Sequence, residues 1–201
     1  MSESTAERRR RSRRGEGDKL RDDIVDTASL MLAETGEVAD LSLRSVARAV
    51  GVAATSIYLH FENLDELVLA VKIRFFDQFG AALDAAADAA GDEPLARATA
   101  RGHAYVQYGM ANPGVYRALF TSEMLPAHLM PEQGYLGVEV FEAARADIAG
   151  VVGEGPHANL LAVHFWTALH GIVTLRTARQ HFPWPDLTEE VNDLIARLIA
   201  K

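Results

Sequence analysis

The stretch from Ser42 to Phe61, SLRSVARAVGVAATSIYLHF, constrains the chain more than any other. It reads as two short helices joined by a tight turn. Ser42 is a good N-cap, because its hydroxyl can accept a hydrogen bond from an otherwise orphan backbone N–H. Leu43, Val46, Ala47 and Val50 fall on one face at helical spacing. Gly51 stands where a helix ends in a left-handed residue, a conformation that glycine adopts at least cost. A second helix begins at Ala54 or Thr55 and carries Ile57, Tyr58 and Phe61. Two helices about a glycine turn form a helix-turn-helix, whose second helix enters the major groove of DNA while the first braces it. The bare pattern equally describes a pair of helices in any all-α domain, so its surroundings decide.

Those surroundings are specific. Asn63 and Glu66 form an N-x-x-E capping box that opens a long helix. Upstream, Leu20, Ile24, Ala28 and Leu32 make one helical row, with Gly36 past its end. The result is a three-helix unit over residues 18–63 with Leu20, Ile24, Ala28, Leu32, Leu43, Val46, Ala47, Val50, Ile57 and Phe61 as its core and Val52 beneath the turn. Off that core, Arg44 lies beside Ser42 and Ser45, and it can reach a phosphate or a guanine edge. Ala53, Ala54, Thr55, Ser56, Tyr58 and His60 form the exposed face of the second helix. The hydroxyls can bond phosphates or base edges, and the alanines let the helix approach closely.

Charge supports this division. The net charge of −8 argues against coating nucleic acid by bulk attraction. Yet Arg8, Arg9, Arg10, Arg11, Arg13 and Arg14 cluster at the N-terminus, in a stretch of residues 1–17 with almost nothing apolar to bury. That stretch reads as a disordered arm, and Arg11, Arg13 and Arg14, nearest the first helix, are its expected DNA contacts. The absence of cysteine excludes disulfides and thiolate metal sites. No apolar run approaches the ~20 residues of a membrane span, and the polar N-terminus is no secretory signal, so a cytoplasmic protein is expected.

Beyond Leu64 the chain reads as helices throughout. A stripe of Leu64, Leu67, Val68, Val71, Phe75 and Phe79 runs along the fourth helix to about residue 89. Pro94 opens a fifth, a short sixth follows the NPG turn at 112–114, and a seventh spans about 135–152. Between them, residues 121–135 are loop-like, with Met124, Leu125, Leu129 and Met130 either lying on the core or bordering a ligand entrance. The eighth, about 158–180, is apolar almost all round. Asp186 and Glu189 cap a ninth. The last two are too apolar for a monomer's surface and suggest a two-fold dimer built as a four-helix bundle, through Leu161, Leu169, Ile172, Val191, Leu194, Ile195 and Leu198. No catalytic constellation, metal-ligand spacing or cofactor motif stands out.

Together, IVDTASLMLAETG, LSLRSVARAVGVAATSIYLHF and ENLDELVLAV resemble the DNA-binding domain of the TetR family of bacterial transcriptional regulators. Tyr58, His60 and Phe61 match the family's Tyr-x-Tyr/His-Phe pattern, and Trp166, His170 and Gly171 match a C-terminal type named for Trp, His and Gly. The resemblance implies an all-α fold: a helix-turn-helix domain at 18–63, then a ligand-binding and dimerisation domain at 64–201, about nine helices in all. It implies Arg44, Ala54 and Thr55 as base readers, Tyr58 and His60 as phosphate and sugar contacts, and no enzymatic activity. It also implies an apolar pocket for a small effector, for which Phe79, Arg101, Tyr105, Tyr108, Phe120, Phe141, His164 and Phe165 are the candidates. Leu64 stands where the family often has a phosphate-gripping lysine, a contact that the Arg-rich arm is placed to supply. The expected protein is a homodimeric repressor that binds a palindromic operator in double-stranded DNA and is released by a small apolar effector. The alternative is an all-α ligand carrier or enzyme whose N-terminal helices only brace the fold.

Overall fold

The computed structural model describes residues 5–120 and 135–199, with side chains from residue 17 onward. Nine α-helices and one 3-10 turn make up these residues, with no strand among them. Of the loop-like segment 121–135, read either as lying on the core or as bordering a ligand entrance, residues 121–134 lie outside the described residues.

Helix α1 runs Thr5–Thr35, fifteen residues further toward the N-terminus than the row opening at Leu20 implies. The arm read as disordered through residue 17 is therefore helical from Thr5. Its Arg and Glu residues are good helix formers, and lengthening an existing helix avoids the cost of nucleating one. Ile24, Val25, Ala28 and Leu32 of α1 are buried against Leu43, Val46 and Ala47 of α2 (Leu43–Val50) and Ile57 of α3 (Ala54–Ile57). Leu20 and Val50 pack only partly buried on this core.

Local chemistry sets the turn. Ser42 Oγ accepts from the Ser45 backbone N–H at 3.1 Å, and the Ser42 N–H donates to Ser45 Oγ at 3.0 Å, a reciprocal cap. Gly51 has φ +84°, where a Cβ would be strained, and its N–H donates to the Ala47 carbonyl at 3.0 Å. The second helix is tight and short: the N–H groups of His60 and Phe61 both return to the Ile57 carbonyl. Arg21 of α1 lies over the Phe61 ring at 5.0 Å and holds the far end of the unit.

Helix α4 (Leu64–Ala89) opens as expected, with Asn63 Oδ1 accepting from the Glu66 N–H at 3.0 Å. Its buried stripe, Leu67, Val68, Val71, Phe75, Phe79 and Leu83, begins in the core of the N-terminal unit and ends in the body. Arg74 pairs with Asp22 and Asp26 and fastens α4 to α1. The body adds α5 (Pro94–Ala111), α6 (Pro113–Phe120), α7 (Val138–Val152), α8 (Pro156–Ala178) and α9 (Leu187–Leu198). Glu93 and Asp186 cap α5 and α9 through their carboxylates.

Helix α5 is central, packed on α4, α7, α8 and α9. Arg101 of α5, 3% exposed, donates to Asp147 of α7 at 2.7 Å and Asp84 of α4 at 2.6 Å, while Arg97 reaches the other Asp147 oxygen at 3.0 Å. This network, buried at Arg101 and Asp147, ties three helices. Helix α8 corrects one expectation, being long and apolar enough to cross a membrane by length and composition. Its seven buried residues, among them Leu161, Phe165, Leu169 and Val173, instead cover α5 and α7.

Candidate functional site

The N-terminal unit turns one polar face outward. Ser42 and Arg44 of α2 and Ala53, Thr55 and Tyr58 at α3 are exposed, with Tyr58 53% exposed. Ala54, Ser56 and His60 are half-buried beside them. None of the eight is fully buried, and the exposure of Tyr58 runs against its being a core aromatic. Ser42 is also engaged in the helix cap, so its hydroxyl is held in place by Ser45. Two members of this surface escaped the sequence reading. Arg48 is exposed four residues after Arg44, one helical turn along α2, a spacing that could have found it. Leu59 is 82% exposed between Tyr58 and His60, and no periodicity announces an apolar residue left outside. Arg11, Arg13 and Arg14 lie on the α1 backbone, and their side chains lie outside the described residues. Leu64, where a phosphate-gripping lysine was looked for, packs partly buried against the core.

The body holds a partly open cavity of about 750 Å³ lined by α4, α5, α6, α7, α8 and the residues just before α7. Of the eight residues expected around a pocket, Phe79, Arg101, Tyr105, Phe120, Phe141 and Phe165 line it. Tyr108 and His164 do not. Tyr108 lies against Phe79 from behind, with ring centroids 5.1 Å apart, and His164 faces outward from α8. Missed were Lys72 and Phe76 of α4 and Trp166 of α8. Lys72, Phe76, Phe79 and Leu83 recur at helical spacing, so the row was visible, but a lysine does not announce itself as interior.

A hydrogen-bonded chain starts at Tyr105 of the wall. The Tyr105 and Tyr116 hydroxyls are 3.0 Å apart, and Tyr116 Oη is 2.7 Å from His170 Nδ1. Burial pushes the Tyr105 phenol up to about 12, against hydrogen bonds from Tyr116 and Trp166 that pull the other way. Burial also raises the Tyr116 phenol and lowers the half-buried His170 imidazole, so the chain is neutral at ordinary pH.

Tyr116 lies on α6, and α6 abuts the N-terminal unit. A Cβ at Gly114 would overlap the Ala33 carbonyl oxygen of α1, so only glycine allows this approach. Arg117 Nη1 donates to the Thr35 carbonyl and to Glu37 Oε1, each at 3.3 Å. The cavity wall therefore meets the N-terminal unit along two helices, α4 and α6.

The residues expected at a subunit interface differ in how far the subunit itself covers them. Leu161, Leu169, Ile172, Val191 and Ile195 are buried within the subunit's own core, Leu194 and Leu198 are partly buried on it, and Leu169 lines the cavity. A helix apolar on every side has one face for its own subunit and one for other contacts, and spacing alone does not say which. The outward face of α8 is Leu160, His164, Thr167, Gly171 and Leu175, with Leu160 51% and Leu175 53% exposed. Around Gly171 an added Cβ would meet no heavy atom within 4 Å.

Comparison with known proteins agrees with this geometry. Residues 24–71 match the family described as bacterial regulatory proteins, tetR family, and residues 98–201 match the tetracyclin repressor-like C-terminal domain. An HTH-type transcriptional regulator of Mycobacterium tuberculosis, Rv0681, is 32% identical over 164 residues, covering 77% of this chain and 69% of the relative. Among solved structures, a protein of unknown function from Rhodococcus sp. RHA1 superposes with a TM-score of 0.72 at 23% identity, covering 90% of this chain and 95% of that one. A TetR family transcription regulator from Marinobacter aquaeolei VT8 superposes with a TM-score of 0.62 at 16% identity, covering 92% and 98%. At such identities the structures speak for the fold alone. The outward helix-turn-helix and the two family matches, which together cover most of the chain, make it a member of the TetR family of DNA-binding transcriptional regulators, which are not enzymes.

Proposed function

We propose that this chain is a ligand-responsive repressor that acts in the bacterial cytoplasm as a homodimer on a two-fold operator. Each protomer presents α3 to a major groove. Arg44, Ala54 and Thr55 read base edges, while Tyr58, His60 and Arg48 grip the backbone. The observation that carries the reading is the continuity of α4. Its Leu67, Val68 and Val71 are built into the core, and the next turns supply Lys72, Phe76, Phe79 and Leu83 to the cavity. A molecule that reshapes the cavity thereby shifts the helix on which the reading unit rests, and α6 follows through Gly114 and Arg117. Because the coupling is reciprocal, an effector that weakens DNA binding binds the DNA-bound form less well by the same factor.

The outward face of α8 is the proposed dimer contact. Leu160 and Leu175 supply apolar area, and Gly171 lets two helices approach closely between them. Footprinting and anisotropy titration on the DNA upstream of the gene test the proposal. A protected two-fold site with salt-dependent affinity is expected. No two-fold protection, together with binding insensitive to salt, would sink it.

A further inference from the structure

Aromatic residues make up 7% of the chain, yet Phe76, Phe79, Phe120, Phe141, Phe165 and Trp166 all line this cavity. Most of the lining rings fall into two groups on different helices. From α4, α5 and α6, Phe79 packs edge to face on Tyr105 and Phe120, with centroids 5.1 and 6.0 Å away, and Phe76 packs on Phe120 in the same way at 5.8 Å. From α7 and α8, Phe141 and Trp166 pair edge to face at 6.3 Å. Among the described residues no ring contact joins the two groups. They meet where Trp166 hydrogen-bonds the Tyr105 hydroxyl.

A wall that had only to repel water could be built from leucine and valine. A ring adds a quadrupole, with a negative face and a positive edge, and prefers a second ring offset or at right angles, with centroids about 4.5–7 Å apart. The cavity lies against both groups, so a flat ring within it meets aromatic surface from α4, α5 and α6 and from α7 and α8. Its volume of about 750 Å³ suits a drug-sized molecule. Phe79 and Phe165, 1% and 2% exposed, close its inner end. Val163 and Trp166, 38% and 44% exposed beside the exposed Asn159, leave it open along α8.

We propose that the ligand of this cavity is a planar aromatic molecule, whose ring contacts both aromatic groups and whose polar substituent lies at the open edge beside Asn159. This rests on the reading of the cavity as the effector site and adds the ligand's chemical class. Burial of apolar area gives a flat aromatic ring no advantage over the saturated ring of the same skeleton, which has no less area to bury. Ring-to-ring contact does, because only the aromatic guest carries the complementary quadrupole.

Two probes that share a skeleton and an uncharged hydroxymethyl group, 2-naphthalenemethanol and its decahydro counterpart, test it by calorimetric titration of the full-length protein. The aromatic probe should bind about five- to a hundredfold more tightly than the saturated one, the range expected of two ring contacts. Phe141→Leu keeps the position apolar and removes one ring. It should cut that preference about two- to tenfold and leave the saturated probe's affinity unchanged. Phe141 is half-buried, a thermal melt verifies that the variant folds, and Phe76→Leu repeats the test on the other group. Equal affinity for the two probes, tighter binding of the saturated one, equal loss of both in the variants, or binding of neither overturns the assignment. Anisotropy of the DNA complex with the same probes separates the two readings. Release of DNA by both probes alike keeps the effector site and refutes the aromatic class. Binding that prefers the aromatic probe, depends on Phe141 and leaves DNA bound does the reverse.

Discussion

The proposed dimer face gives the sharpest discrimination, because sequence periodicity and the outward side of the folded subunit point to opposite sides of α8. Consider Leu160→Ala together with Leu175→Ala. Each change deletes three carbons, worth about 0.8 kcal/mol apiece when fully buried, or ~2.4 kcal/mol per site. Both leucines are about half exposed in the subunit, at 51% and 53%, so roughly half of that, ~1.2 kcal/mol, is left for an interface to gain. A two-fold contact doubles the two sites to four, giving about 5 kcal/mol, or between three and four decades in the dimer dissociation constant. Subunit stability should move little, since neither side chain is in the core. The comparison is Leu161→Ala, one position along and 8% exposed. It should cost about 2–5 kcal/mol of folding stability and leave the association of folded subunits intact. Sedimentation velocity over a concentration series reads the first quantity, and chemical denaturation reads the second. A double variant that remains dimeric at wild-type concentrations, or a Leu161→Ala that dissociates without unfolding, would refute the assignment of faces.

Three further expectations concern the reading unit and the buried chain. Arg44→Ala should cost about 1–3 kcal/mol on the cognate operator and relax base preference, while Tyr58→Phe should weaken binding to every sequence alike; competition anisotropy with scrambled DNA separates them. Gly51→Val places a β-branched residue at φ +84° and should lower stability by about 1–2 kcal/mol, read as a fall in the melting temperature with no compensating contact. His170 has its pKa lowered by burial, so the unfolded chain takes up the proton first as the pH drops. Its contribution to stability is fully present above the ordinary histidine value and is lost as pH falls from there through the folded value. His170→Asn should flatten that part of a denaturation-against-pH profile, and an unchanged slope would remove His170 as the cause.

How much was legible in the sequence follows from which interactions are local. The cap at Ser42, the left-handed Gly51, the box from Asn63 to Glu66 and the buried row from Ile24 to Leu32 all join residues within a turn or two of each other. Spacing along the chain is enough to specify such contacts, and with them the exposed face at Arg44, Thr55 and Tyr58. The start of α1 was misread because composition describes whether a segment can bury a core, and a helix continuing from an ordered neighbour does not need one. Lys72 was passed over for a related reason, since residue type predicts exposure only on average. What only tertiary structure decided is how helices face one another across long separations in sequence. Arg101 meets Asp147 46 residues away, Tyr116 meets His170 54 residues away, and Gly114 closes on Ala33 of the first helix. The same holds for α8. Its apolar residues were plain from the sequence, but which stripe closes the cavity over Phe165 and Leu169, and which is left outward at Leu160, Gly171 and Leu175, depends on where α5 and α7 lie. A helix apolar all round has no preferred face until its neighbours give it one.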